Sequence, residues 1–106
     1  MIKVMIKRSD SGRPYGFRIS GHAGYSESGT DIVCAGVSAL SINTINSIEN
    51  LTETRFTVDQ SDKDNGILEL TCKEPVDDKA ILLLESLDLG IREIEKTYSE
   101  YVTYLQ

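Results

Sequence analysis

Apolar and polar residues alternate over Met1 to Lys7, placing Ile2, Val4 and Ile6 on one face. They alternate again over Tyr15 to Gly21, placing Tyr15, Phe17 and Ile19 together. Period-two alternation predicts half-buried strands. The cluster Ser9-Asp10-Ser11-Gly12-Arg13-Pro14 between them reads as a turn, so the two strands form a hairpin. From Ile32 to Leu51 the period becomes helical. Ile32, Val33, Val37, Leu40, Ile45 and Ile48 share one side, and Asn43, Asn46, Ser47, Glu49 and Asn50 the other. Ser28 and Thr30 are N-cap candidates, and Ser28 with Asp31 has capping-box spacing.

A second hairpin is predicted from Arg55 to Gln60 and from Gly66 to Lys73, with Asn65-Gly66 as its turn. Glu74-Pro75 ends the strand, and Asp77 or Asp78 can cap a second helix. Ile81, Leu84, Leu87, Ile91, Ile94, Tyr98, Tyr101 and Leu105 recur every three or four residues. This spacing predicts one amphipathic helix to the end of the chain, with Gly90 as a bend. Gly36 inside the first helix costs about 1 kcal/mol relative to alanine. A close backbone approach, to the sheet or to a second subunit, would offset it. The order β-β-α-β-β-α predicts an α+β, two-layer domain spanning residues 1–106. It has a four-stranded antiparallel or mixed sheet with both helices on one face.

Composition narrows the function. The chain lacks an unbroken apolar run near eighteen residues, so no membrane span is expected. The N-terminal strand pattern is not that of a signal peptide, which points to the cytoplasm. There, two cysteines are expected to be thiols rather than a disulfide. The net charge is -6, and twelve of the seventeen acids lie after residue 58. Only Lys3, Lys7, Arg8, Arg13 and Arg18 could make a basic face, so no direct nucleic-acid contact is expected. No cofactor is implied. One histidine and two scattered cysteines match no zinc spacing, and Asp59 to Gly66 fails the calcium-loop pattern.

The single histidine, His22, ends the second strand twelve residues before Cys34, which stands near the start of the first helix. A thiol reacts as its thiolate. A helix N-terminus favours that anion, and with Thr30 as cap Cys34 would be the fourth helical residue. An imidazole can serve as base and then acid in acyl transfer. Each residue also has a plainer reading, His22 as the solvated end of a strand and Cys34 as a small core residue. What favours chemistry is that they stand at the two ends of one connection, Ala23 to Thr30. Gly24, Ser28 and Gly29 would make this connection mobile. Asp31 is a candidate to orient His22 or to cap the helix, and Ser38, one turn after Cys34, is a candidate pocket residue. Cys72 alternates inward with Leu68 and Leu70 and reads as core.

Gly21-His22-Ala23, followed by Gly29-x-Asp31-Ile32-Val33-Cys34-Ala35-Gly36-Val37-Ser38-Ala39, resembles the ribosomal-processing cysteine protease family, Prp. The resemblance extends to length, element order and the acidic C-terminal helix; Gly36 departs from the alanine expected there. It implies an endopeptidase that removes a short N-terminal extension from large-subunit ribosomal protein twenty-seven, after an aromatic residue, for bacterial ribosome assembly. Cys34 would be nucleophile and His22 base, in a homodimer. The rival readings are a non-catalytic assembly factor that binds the extension, and a thiol redox protein. The second lacks a Cys-x-x-Cys motif or resolving cysteine.

Overall fold

A computed structural model of the chain describes residues 1–21, 28–60 and 66–105, with side chains in the first helix described from Ile32 onward. The elements are β1 (Ile2–Arg8), β2 (Pro14–Ser20), α1 (Ser28–Leu51), β3 (Phe56–Asp59), β4 (Leu68–Cys72), α2 (Asp78–Thr97) and β5 (Val102–Tyr104). The strands form one mixed sheet in the order β3-β4-β2-β1-β5. The α+β class and two-layer arrangement are as expected, but the sheet has five strands, not four.

The alternation in β1 holds. Ile2, Val4 and Ile6 are buried, and Ile6 stands opposite Phe17 while Val4 stands opposite Ile19. Phe17 in turn faces Leu70, and Ile19 faces Leu68. Tyr15 does not share this face. The β1–β2 register slips beyond Lys7, with Arg8 paired to Pro14 rather than to Tyr15. The slip is a β-bulge, in which one extra residue breaks the alternation, and Tyr15 stays 36% exposed.

The predicted C-terminal helix is two elements. α2 stops at Thr97, and Tyr98 leaves helical geometry at φ -126, ψ 48. The chain then returns as β5, parallel to β1, with Ile2 N–H donating to the Tyr101 carbonyl and Leu105 N–H to that of Val4. Tyr98, Tyr101 and Leu105 fit a helical spacing, but β-branched and aromatic residues at Val102, Thr103 and Tyr104 suit a strand. The open edge of β1 rewards that choice with backbone hydrogen bonds. Tyr104 ties the strand to α2, its hydroxyl donating to Asp88 Oδ1 at 2.8 Å, while Arg92 stacks 3.6 Å from its ring centroid.

The buried stripe of α1 is Val33, Val37, Ser41, Thr44 and Ile48. Two of these are polar, which apolar periodicity missed. Their hydroxyls donate back to the Val37 and Leu40 carbonyls at 2.7 and 2.8 Å, so burial leaves no orphan group. Ile32, placed on the apolar side of the helix by its spacing, is 61% exposed. Ile32–Leu51 has the length and mean hydropathy, 1.2, of a membrane span, although the sequence offers no unbroken apolar run. In this fold one side of it packs on the core.

The close approach expected at Gly36 is to α2: a Cβ there would lie 3.3 Å from Ile94 Cδ1. Gly90 serves the same contact from the other side, where a Cβ would meet Leu40 Cδ1 at 3.0 Å. It lies within one continuous helix. Asp77 is the cap of α2, accepting from Ala80 N–H at 2.8 Å and from Glu53 N–H at 3.0 Å. One carboxylate thus joins the end of α1 to the start of α2. The uneven charge also finds a use: Lys7 pairs with Glu69, and Arg8 with Glu85 and Asp88, so basic N-terminal strands meet acids from the second half.

Candidate active site

Cys34 is half-buried on α1 and packs against the core. It lines a cavity of about 210 Å³ at the end of the sheet where β1 begins and β2 finishes. Ile2, Ile19, Val37 and Leu68 give this cavity apolar walls, and Gly21, Ser38 and Ser41 also line it. The thiol thus borders a mainly apolar recess, the kind of concave site in which ligands are held.

The position of Cys34 in its helix differs from expectation. α1 begins at Ser28, so Ser28, Gly29 and Thr30 are helical rather than loop or cap, and Cys34 is the seventh helical residue, not the fourth. Local propensity is a weak prior, and a Ser-Gly-Thr run does not prevent a first turn. The consequence is electrostatic. The field of a helix terminus fades within its first turn, so Cys34 draws less from it than a fourth residue would.

His22 and Gly24 lie outside the described residues, as does the side chain of Asp31. What is described is the residue bonded to His22. Gly21 has φ +84, and a Cβ on it would collide with the Met1 carbonyl oxygen. Only glycine accepts both conditions readily. Ser38 is exposed and lines the cavity one turn after Cys34. Ser41, a further turn on, was missed because a buried serine leaves no apolar signal; its hydroxyl is already committed to the Val37 carbonyl. Ile2 and Leu68 were legible as core but not as cavity walls, since that requires the sheet order.

The other thiol is unlike Cys34. Cys72 is buried, and burial, with a smaller contribution from the negative Asp77, pushes its pKa up to about 11. It stays a neutral thiol near pH 7. Cys72 borders a larger cavity of about 710 Å³ at the opposite end of the sheet, alongside Pro14, Tyr15, Pro75 and Val76. Size alone would favour that cavity; the chemistry favours the smaller one, because its thiol is the accessible one and the chain's only histidine follows Gly21. Among the described residues no group of three His, Cys, Asp or Glu side chains converges to hold a metal.

A mixed five-stranded sheet backed by two helices, with a half-buried thiol where the first helix meets the end of β2, defines an α+β protein of thiol-enzyme type. Residues 1–103 match the family model described as cysteine protease Prp, and the chain belongs to that family. It is 33% identical over 102 residues to the ribosomal processing cysteine protease Prp of Staphylococcus aureus, covering 96% of this chain and 95% of that protein. It is 32% identical over 104 residues to that of Bacillus subtilis, covering 94% and 92%. Its fold superposes with a TM-score of 0.87, at 33% identity, on an essential ribosomal processing protease Prp from S. aureus carrying a covalently linked product peptide, covering 98% of this chain and 97% of that one. The score is again 0.87, at 34% identity, against SMU.848 from Streptococcus mutans, with 98% and 91% coverage.

Proposed function

We propose that this protein is a cysteine endopeptidase that cuts the N-terminal extension from large-subunit ribosomal protein twenty-seven, with Cys34 as nucleophile and His22 as its base. The observation that carries the reading is the placement of Cys34 and Gly21, the residue preceding His22, on one apolar-walled cavity. The S. aureus relative carries a covalently linked product peptide, which supports a peptide substrate and covalent chemistry for this chain.

Cys34 gives its proton to His22, and Sγ attacks the scissile carbonyl carbon. The tetrahedral intermediate collapses as the C–N bond breaks, and the His22 imidazolium protonates the departing amine. The N-terminal fragment is left as a thioester on Cys34. Water, deprotonated by His22, attacks this thioester, releasing a carboxylate and restoring the thiol. Ile2, Ile19, Val37 and Leu68 hold an apolar side chain of the peptide beside the bond to be cut. Asp31 is the candidate to orient the imidazole.

The protein works in the cytoplasm, where ribosomes assemble, as a homodimer. The outward side of α1 supports the dimer: Ile32 and Ile42 are exposed at 61% and 41%, with Ala35 and Ala39, also exposed, between them. Small residues four apart let a second helix come close. Ala39→Arg should then yield a monomer in analytical ultracentrifugation; an unchanged dimer would place the contact elsewhere.

The test of activity is to incubate the host's own precursor with wild type and Cys34→Ala and read the new N-terminus of the product. One new terminus within the extension boundary from wild type only is expected. Binding without cutting by wild type would leave an assembly factor.

A further inference from the structure

We propose that the larger cavity, at the end of the sheet away from Cys34, binds a small apolar zwitterion: an amino acid or dipeptide with free amino and carboxylate groups. The inference stands apart from the protease reading. The cavity measures about 710 Å³, a size typical of ligand sites. Its walls come from separate parts of the chain. The β-bulge beyond Lys7 sets Arg8 opposite Pro14, and Tyr15 turns out of the core and onto the cavity. The buried Cys72 ends β4 there, and Ile81 joins from the first turn of α2. Val76, packed on the core, lies between them in sequence and also lines the space. Pro14 and Pro75 complete the apolar lining. Proline has a fixed φ and no N–H, so these walls resist collapse and present no backbone donor.

Charge enters from two sides. Arg13 comes from the β1–β2 turn and Glu74 from the link between β4 and α2, and both are exposed residues lining the cavity. Among the described residues, neither forms an ion pair, with the other or with a third residue. Arg8 and Arg18, the arginines on the adjoining strands, already face carboxylates at 2.8 and 3.9 Å.

This combination selects a ligand class. A neutral apolar molecule leaves both charges unused. A simple carboxylate meets Glu74 as well as Arg13, and like charges repel. A zwitterion satisfies both: its carboxylate goes to the Arg13 guanidinium and its ammonium to Glu74. Its apolar side chain lies against Val76, Ile81 and the Tyr15 ring.

The experiment is an amide-detected NMR titration of wild type with leucyl-phenylalanine, and with the same dipeptide N-acetylated, C-amidated or both. The free dipeptide should saturate with a Kd of about 1 mM or below. It should move the amides of Tyr15, Cys72, Val76 and Ile81 and leave those of Ile2, Ile19 and Leu68, at the Cys34 end, in place. Blocking either terminus should weaken binding about fivefold, the scale of one exposed ion pair. Arg13→Gln should weaken the free dipeptide by the same factor yet bind the C-amidated form as wild type does. Glu74→Gln should behave likewise toward the N-acetylated form. A merely structural role for either residue would not produce that pairing. Shifts that never saturate, shifts centred on Ile19 and Leu68, or equal affinity for the doubly blocked dipeptide would each overturn the proposal. All of these outcomes are read from binding alone, so they are independent of whether the protein cuts its precursor.

Discussion

Gly21 and Cys34, thirteen residues apart in sequence, line one cavity from two different elements, the end of β2 and the second turn of α1. This relationship brings a thiol to the end of the strand that leads into the only histidine. The second cysteine, at the far end of the sheet, sets the contrast for the first prediction. Cys72 is buried and held protonated, with its pKa pushed up to about 11. At pH 7.5 iodoacetamide should therefore alkylate Cys34 first and leave Cys72 until the protein unfolds. Peptide mapping after brief labelling checks this; equal labelling would contradict it.

The helix–helix contact predicts an asymmetry between two glycines. At Gly36 an added Cβ lies 3.3 Å from a terminal methyl of Ile94, which can give by a few tenths of an ångström. Gly36→Ala should recover part of the helix propensity of alanine, roughly 0.5 kcal/mol, and raise Tm. At Gly90 the contact with Leu40 is 3.0 Å, so Gly90→Ala should be near neutral. Gly36→Leu should lose about 2 kcal/mol through overpacking. Urea melts of the three variants decide the order.

Asp77 predicts a dependence on pH. Hydrogen bonds from Ala80 N–H first, and also from Glu53 N–H and Thr54, hold its carboxyl below the ordinary value of 3.8. A folded pKa below the unfolded one adds stability above about pH 4, and that stability is lost as pH falls through the folded value. Asp77→Ala should lower Tm by roughly 5 °C at pH 7 and flatten its fall between pH 4 and 2.5. Asp77→Asn should keep most of the cap but show the same flattening. An unaltered acid limb in either variant would contradict the assignment.

Tyr104 predicts a local effect. Burial and the neighbouring Asp88 carboxylate raise its pKa, so the phenol remains a donor throughout the physiological range. Tyr104→Phe removes the bond to Asp88 and should cost about 1 kcal/mol. The loss should appear in hydrogen exchange as faster opening of Leu105 N–H and Ile2 N–H, which fasten β5 to β1. The β2–β4 ladder should exchange as before.

The parts of this fold that depend on local pattern were readable from the sequence. Ile2, Val4 and Ile6 alternate and are buried as alternation requires. Asp77 caps α2, and Cys72 turns inward. What escaped depends on distant partners. β5 exists because β1 has an edge to offer; within Tyr98–Leu105 the helical and strand patterns are equally good. Tyr15 leaves the core because of a register slip, which no spacing records. Ser41 and Thr44 are buried because helix carbonyls accept their protons, and a hydrophobic period is blind to that. Cys34 could be picked out beside His22 as a candidate nucleophile, but not its place on the seventh residue of α1, nor the cavity it shares with Ile2 and Leu68.

The central claim, that Cys34 forms a covalent intermediate with the peptide it cuts, is tested most directly by intact-protein mass spectrometry. Wild type is quenched in acid during turnover of a peptide spanning the extension boundary, and the adduct is mapped by digestion. The account predicts an adduct equal to the N-terminal fragment, bonded to Cys34, and neither adduct nor cleavage with Cys34→Ser. Cleavage that persists in Cys34→Ala would contradict it.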